Sequence, residues 1–269
     1  MSDIRGASKE YFEMKNRIGF KNNDELYIMG DILDGNSKHP ECCLEILDDV
    51  MRHNNIHLVL GDHEYAYIMY YMSKQNEAFQ NEWQDIICGP DFNGAPLLNH
   101  LGSLSEKEQS RYISYLISRD MSELVKIGSK YFYLVHGAPA VCKQGDVYTW
   151  QQEVVNAKLS LKYNYFLAVA SDPGLQMPPN LTKDDLVIIA GQTPTESLFR
   201  ANEDLLKKYY KDAEGTKTQK IIYENKKMLI DCGCKADTLN YEFYGWAPNL
   251  ACVGIDAAGY FVEYLNEVN

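Results

Sequence analysis

The stretches LYIMGDILDGN (residues 26–36) and IHLVLGDHE (residues 56–64) decide the fold of this chain. In each, an apolar run with the length of a buried strand leads into a glycine and an aspartate, Asp31 in the first and Asp62 in the second. Between them, residues 40–52 carry apolar side chains at helical spacing. The sequence therefore predicts a strand, a crossover helix and a second strand parallel to the first.

Two further strings lead an apolar run into polar residues, YFYLVHG (residues 131–137) and DLVIIAGQT (residues 185–193), and in SDIRG (residues 2–6) Asp3 sits where such a run should end. Polar residues that follow parallel strands meet at the carboxyl edge of the sheet, where open α/β proteins bind their ligands. We expect Asp3 and His136 to join the two aspartates there. Carboxylates and imidazoles that converge in this way are typical of a metal centre.

Composition limits the possible classes of protein. The chain has 269 residues, 45% of them hydrophobic, which is enough for a large core. It has no run of eighteen apolar residues, so we expect no membrane span. A net charge of -12 argues against nucleic acid and anionic lipid as partners. Seven cysteines, an odd number, without a pattern typical of a signal peptide predict reduced thiols and a cytoplasmic location.

The chain is predicted to form a single domain over residues 1–269, with a helical insertion at about 65–127 that is rich in Tyr, Met and Trp. Strand patterns after Lys220 suggest antiparallel pairs near the end of the chain. Only Met1 and Ser2 precede Asp3, which leaves little room for a strand there. We therefore expect the natural start to lie upstream.

The order of these strings resembles the calcineurin-like metallophosphoesterases, and most closely their bacterial serine/threonine phosphoprotein phosphatase branch. The family pattern reads DxHG, GDxxDRG, GNHE, HG and GHT, followed by a strand with DxG. The corresponding strings here are DIRG (3–6), GDILDGN (30–36), GDHE (61–64), HG (136–137), GQT (191–193) and DCG (231–233). The resemblance implies an α/β fold, a four-layer αββα sandwich with two mixed sheets.

The resemblance also implies roles for five residues. In that family two metal ions share a bridging carboxylate, activate a hydroxide and neutralise the phosphoryl oxygens. Asp31 matches the bridging ligand, Asp3 matches the carboxylate of the first metal, and His136 matches an imidazole of the second. His63 matches the general acid that protonates the leaving oxygen. Asp34 matches the carboxylate that orients this histidine.

Three metal ligands of the family are changed. The first-metal histidine is Arg5, whose guanidinium has no lone pair to give a metal. The asparagine of GNHE is Asp62, which can still coordinate a cation. The histidine of GHT is Gln192, whose carbonyl oxygen is a weaker ligand for a transition metal.

Two arginines that bind phosphate in the family are also missing. The position after Asp34 is Gly35, and the arginine of a Trp-x-Arg string aligns with Gln152, after Trp150. A phosphate group would lose two bidentate partners by these changes. Asp231, in the last string, is interpreted as structural.

Charge suggests how the altered centre works. Four converging aspartates cannot all stay ionised without a compensating cation. We hypothesise that Arg5 occupies the first metal position and forks onto Asp3, Asp31 or Asp62. The alternatives for the cofactor are one divalent ion (Mn, Fe or Zn) or none. The residues proposed to hold a single ion are Asp31, Asp62, His136 and Gln192.

Two functions remain open. One is a metal-dependent phosphoesterase that hydrolyses phosphomonoesters, and the other is an inactive pseudophosphatase that binds a phosphorylated ligand or partner. Three substitutions weigh against activity and slightly favour the pseudophosphatase: Arg5, Gln192 and Gly35. Retention of His63 with Asp34 weighs for activity. The pattern specifies neither the substrate nor the oligomeric state.

Overall fold

The computed structural model describes residues 1–34, 38–90, 92–137, 186–210, 216–224, 226–234 and 246–266. The interpretations given to Gly35, Trp150 and Gln152 lie outside these residues.

The predicted strand, helix and strand are present. Strand β1 (Leu26–Met29) and strand β2 (Ile56–Val59) pair in parallel, and helix α2 (Glu41–Arg52) connects them. Helix α1 (Ser8–Arg17) precedes β1, as its apolar spacing predicts. Because the two strands are parallel, the residues that follow both of them lie at one edge.

Four helices follow β2, in the region predicted to be a helical insertion. They are α3 (Asp62–Met72), α4 (Glu77–Cys88), α5 (Ala95–Ser103) and α6 (Glu106–Ile117). The insertion was predicted to continue to residue 127, and its last six residues are instead strand β3 (Ser122–Ile127). The β-branched Val125 and Ile127 favour a strand, and Gly128, with a φ of 61°, turns the chain back for pairing.

The largest sheet has five strands in the order β3, β4, β5, β8, β7. Strands β4, β5 and β8 run parallel, whereas β3 and β7 pair antiparallel at the two edges, so the sheet is mixed. The strands of the sheet that follow β3 are β4 (Lys130–Val135), β5 (Leu186–Ala190), β7 (Ile222–Glu224) and β8 (Lys227–Leu229).

Helices α7 (Thr195–Ala201) and α8 (Glu203–Tyr209) follow β5. Near the end of the chain, β10 and β11 pair antiparallel, as their pattern predicts. The remaining strands are β6 (Lys217–Thr218), β9 (Trp246–Ala247), β10 (Ala251–Ile255) and β11 (Tyr260–Tyr264). Among the described residues, no helix combines the length and the apolar character that crossing a bilayer requires.

Alternating side chains of the strands belong to separate cores. Met29 of β1 and Val59 of β2 pack with Phe132 and Leu134 of β4, in a core between the strands. Tyr133, which points to the opposite face of β4, packs instead with residues of α7 and α8. The fold class is therefore mixed α/β, as predicted. The four-layer arrangement stays a prediction, which this division of the cores supports.

The first residues of the chain run alongside β1. The backbone N–H of Met29 donates to the carbonyl of Met1 at 2.9 Å, and the N–H of Asp3 donates to the carbonyl of Gly30 at 3.1 Å. These bonds bring Asp3 to the edge at which β1 ends.

Candidate metal centre

The loops after β1 and β2 approach each other very closely. A Cβ atom on Gly30 would lie 2.5 Å from Nδ1 of His136 and 2.6 Å from Cα of Gly61, too close for any side chain. Gly30 also has a φ of 75°, in the region that favours glycine. The glycines of the two GD strings thus let the aspartates that follow them meet.

Glu64 joins these two loops. It is fully buried, and its carboxylate accepts four backbone hydrogen bonds, from the N–H groups of Gly61 (2.9 Å), Asp31 (2.8 Å), Ile32 (2.8 Å) and Leu33 (3.0 Å). No role was predicted for Glu64 from the sequence. Its place at the third residue of α3, where a glutamate caps a helix, was the available signal.

Backbone strain is concentrated at the same edge. Seven non-glycine residues among those described have a positive φ, and five of them belong to this site. The cost of such a conformation is about 1–3 kcal/mol for each residue, and it persists where the surroundings enforce it. The five are Asp3, Arg5, Asp31, Asp34 and Gln192.

The guanidinium of Arg5 lies between two carboxylates. Its Nη2 atom donates to Oδ2 of Asp31 at 2.8 Å and to Oδ1 of Asp3 at 3.4 Å. The side chain is 19% exposed, and among the described residues it makes no hydrogen bond to Asp62 or through Nε and Nη1. Burial alone would lower the pKa of Arg5, but the charges of Asp31 and Asp3 raise it, so the group stays cationic.

His136 is held in the tautomer that a metal ligand requires. Its Nδ1 lies 2.8 Å from the carbonyl oxygen of Met29, which can only accept, so Nδ1 carries a proton. Its Nε2 then faces Oδ1 of Asp62 at 3.1 Å and Oδ1 of Asp31 at 3.3 Å. A lone pair directed at two carboxylates needs a cation between them, either a proton or a metal ion.

Gln192 adds an unsatisfied oxygen. Its backbone N–H donates to Oδ2 of Asp3 at 3.0 Å, which places the residue beside the centre. Its Oε1 atom is buried and accepts no hydrogen bond from the part of the chain that the structure describes. A buried amide oxygen without a donor is costly, and a bound cation would satisfy it.

His63 is the second imidazole of the site. Its Nδ1 lies 2.8 Å from Oδ2 of Asp34, and its Nε2 lies 3.5 Å from Oδ2 of Asp31. Burial and the charge of Arg5 act to lower the pKa of His63, but the carboxylates of Asp31 and Asp34 outweigh them and raise it above its ordinary value. His63 is thus favoured as an imidazolium.

The acidic groups do not ionise alike. Burial, followed by the charge of Asp62, raises the pKa of Asp31 to about 7. Burial would also raise the pKa of Asp62, but the hydrogen bond and charge of His136 bring it below its usual range. Burial and the charge of Asp3 raise the pKa of Asp231 well above its usual value. Asp231, interpreted from the sequence as structural, therefore belongs to the electrostatic environment of the site.

Asp31 belongs to two groups of side chains whose ligand atoms could each hold a cation. Two groups of ligand atoms each lie within 4.8 Å of one another: Asp3, Asp31 and His136 in one, and Asp31, Asp62 and His63 in the other. The guanidinium of Arg5 already contacts the two carboxylates of the first group. Oxygen and imidazole donors around Asp62 remain open to a cation.

Comparisons with known proteins extend this description. No curated protein matches the chain. Among solved structures, it is similar to a hypothetical protein, PH1004, from Pyrococcus horikoshii OT3, with 11% identity and a TM-score of 0.47 over 98% of this chain and 84% of that one. It is also similar to a metallophosphoesterase from Sphaerobacter thermophilus, with 16% identity and a TM-score of 0.41 over 100% of this chain and 87% of that one.

The family comparison covers most of the chain. Residues 1–215 match the sequence profile of the calcineurin-like phosphoesterases. That segment contains Asp3, Asp31, Asp62 and His136, whose donor atoms the structure brings together. This chain therefore belongs to the calcineurin-like phosphoesterase family.

Proposed function

We propose that this protein hydrolyses phosphomonoesters with one divalent metal ion, and that Arg5 supplies the positive charge of the second. The observation that carries the proposal is the position of Nη2 of Arg5, in contact with Asp3 and Asp31. His136 and Asp62 remain together on the other side of Asp31. One fixed cation and one set of metal ligands thus share a single carboxylate.

Four residues would hold the ion: Asp31, Asp62, His136 and Gln192. An ion of manganese, iron or zinc supplies Lewis-acid chemistry when bound. Asp31 would then be shared between the ion and Arg5, as a bridging carboxylate. The unpartnered Oε1 of Gln192 supports its inclusion in the set.

Arg5 has donors left for a substrate. Only its Nη2 is engaged with described residues, so Nε and Nη1 remain for phosphoryl oxygens. Because Nη2 belongs to both parallel donor pairs of a guanidinium, Nε and Nη1 would each give one separate hydrogen bond to a phosphoryl oxygen. Arg5 would thereby replace both a metal charge and one of the missing phosphate-binding arginines.

His63 would act as the general acid. Asp34 holds its Nδ1, so Nε2 faces the centre near Asp31. The carboxylates of Asp31 and Asp34 raise the pKa of His63, which favours a proton on Nε2 for the leaving oxygen.

Finer features of the proposal are supported by the sequence. The GDILD and GDHE strings support the serine/threonine phosphatase-like branch, with a phosphorylated substrate as the partner. The charge of -12 supports a role without nucleic acid or membrane. We propose a single domain over residues 1–269.

The thiols bear on the location of the protein. The structure assigns no disulfide to six described cysteines, which supports a cytoplasmic location.

A pseudophosphatase is the second candidate. The ion pair between Arg5 and Asp31 favours it, because a guanidinium in the first metal position removes the second ion of a two-metal mechanism. Such a protein would still bind a phosphorylated ligand through the donors of Arg5 without turnover.

Metal analysis combined with a hydrolysis assay separates these candidates. We expect one equivalent of manganese per chain, and two equivalents would contradict the proposal. Hydrolysis of p-nitrophenyl phosphate with Mn²⁺ should be lost in His63→Ala and retained in His100→Ala, which changes a histidine of α5 outside the centre. No turnover in the wild type, with some gained by Arg5→His, would establish the pseudophosphatase.

A further inference from the structure

The carboxylate of Asp34 has a second partner besides His63. The hydroxyl of Tyr67 lies 2.6 Å from Oδ1 of Asp34, and Nδ1 of His63 lies 2.8 Å from Oδ2. All three side chains are almost completely buried. Each oxygen of the carboxylate thus has its own donor, which compensates its charge at a buried position.

Helix α3 carries both donors. His63 and Tyr67 are four residues apart on it, so they lie on the same face, one turn from each other. Tyr67 lies in the Tyr-rich insertion, where helical spacing predicts that it packs against its neighbours. Packing accounts for its ring but not for a hydroxyl held at hydrogen-bond distance from a buried carboxylate.

The segment before α5 closes over this group. The ring of Phe92 stacks on the imidazole of His63, with centroids 4.1 Å apart and an interplanar angle of 22°. The hydroxyl of Tyr67 lies 3.0 Å from the carbonyl oxygen of Gly94. A Cβ atom on Gly94 would lie 2.7 Å from that hydroxyl and 2.8 Å from Oδ1 of Asp34.

We propose that Tyr67 and Phe92 are positioning residues for His63. Tyr67 fixes the carboxylate of Asp34, which in turn fixes the tautomer of His63, while Phe92 fixes the plane of the imidazole. Together they direct Nε2 towards the leaving oxygen. This inference rests on the proposed phosphoesterase function, since it assigns the orientation of the general acid.

Dependence on the leaving group tests this role. Phenyl phosphate needs a proton on its leaving oxygen, whereas 2,4-dinitrophenyl phosphate leaves without one. In Tyr67→Phe and Phe92→Leu, we expect kcat for phenyl phosphate to fall about ten-fold. For the dinitrophenyl ester, we expect a loss of less than about two-fold, because general-acid catalysis matters little there. An equal loss on both esters would overturn the proposal.

The matched control is Tyr70→Phe, which removes a hydroxyl from the same helix. Tyr70 contacts the ring of Tyr71 and makes no contact with Asp34 that the structure describes. The Tyr70→Phe variant should hydrolyse both esters as fast as the wild type does. The metal content should be unchanged in all three variants, Tyr67→Phe, Phe92→Leu and Tyr70→Phe.

A spectroscopic measurement tests the same idea without turnover. In protein labelled with ¹⁵N-histidine, hydrogen-bonded Nδ1–H groups give separate downfield proton signals, and His63→Ala identifies that of His63. In Tyr67→Phe, we expect this signal to broaden or vanish through faster exchange with water. The Nδ1–H signal of His136, bonded to Met29, should persist and serves as an internal measure of folding.

The two hypotheses can fail separately. If the wild type hydrolyses neither ester, the proposed function is wrong. The Nδ1–H signal of His63 in the variants then tests whether Tyr67 and Phe92 position this histidine. An unchanged His63 signal in both Tyr67→Phe and Phe92→Leu overturns the positioning, whatever the activity. If Tyr67→Phe fails to fold, Phe92→Leu decides by the same two measurements.

Discussion

Nη2 of Arg5 and Oδ2 of Asp31 form an ion pair 2.8 Å long at the edge of the sheet where Asp3 also lies. Asp31 also lies 3.3 Å from Nε2 of His136. One carboxylate therefore faces a fixed cation on one side and a metal-binding group on the other. Under the proposed function, the residue at position 5 sets the number of ions bound per chain.

Replacing Arg5 with histidine should create a second metal site. In Arg5→His, a neutral imidazole would join Asp3 and Asp31, and we expect manganese content to rise from one to two equivalents. Mass spectrometry of the metal after removal of free ions measures this. Arg52→His, at the end of α2, is the control and should keep one equivalent. A value of one in Arg5→His would show that the guanidinium does not block the site.

The side chain at position 192 should set the affinity of the remaining ion. In Gln192→His, we expect the dissociation constant for Zn²⁺ to fall about ten-fold, since imidazole is a better ligand for zinc than an amide oxygen. Gln192→Leu should raise it by a similar factor, because it removes the donor. Isothermal titration calorimetry checks both values. Equal affinities in all three proteins would remove Gln192 from the ligand set.

Loss of the Glu64 carboxylate should destabilise the whole protein. Glu64→Ala leaves four buried backbone N–H groups without an acceptor, and we expect the free energy of unfolding to fall by on the order of 3 kcal/mol or more. Urea denaturation measures it. Glu108 of α6 makes a similar capping contact at an exposed position, so Glu108→Ala should change stability only slightly. Similar losses in both variants would contradict the bridging role.

Two glycines near α5 should respond to alanine in opposite ways. In Gly94→Ala, the new methyl group would meet the hydroxyl of Tyr67, Oδ1 of Asp34 and the side chain of Ile87. We expect a loss of about 1–3 kcal/mol in unfolding free energy. Gly102, inside α5, has no atom within 4 Å of a Cβ, so Gly102→Ala should gain up to about 1 kcal/mol. Thermal denaturation of both variants checks the contrast.

The convergence of the central residues could be predicted from the ends of the strands. Apolar runs followed by polar residues indicated one sheet edge, and the structure places Asp31 within reach of His136 and Arg5 there. The direction of the Arg5 side chain was anticipated from charge, because the surrounding aspartates demand a cation. Arg5 contacts Asp3 and Asp31, which are two of the three carboxylates that the hypothesis names.

Other features could not be predicted because they depend on atoms beyond the local pattern. Helical spacing places Tyr67 on a buried face, but it cannot tell whether a hydroxyl meets a carboxylate of another loop. For the same reason the role of Glu64 was not predicted, because its four backbone hydrogen bonds come from two different loops. Strand β3 was missed because six residues beside a helical region show only weak alternation.

The Glu64 carboxylate has a consequence for motion. One side chain accepts from the amides of Asp31, Ile32 and Leu33 and from that of Gly61, so displacement of this carboxylate releases all four amides. The end of the first strand and the first turn of α3 should therefore open as one cooperative unit. Their amide protons should exchange with deuterium at a common slow rate, and thermal fluctuations would open both loops of the candidate metal centre together.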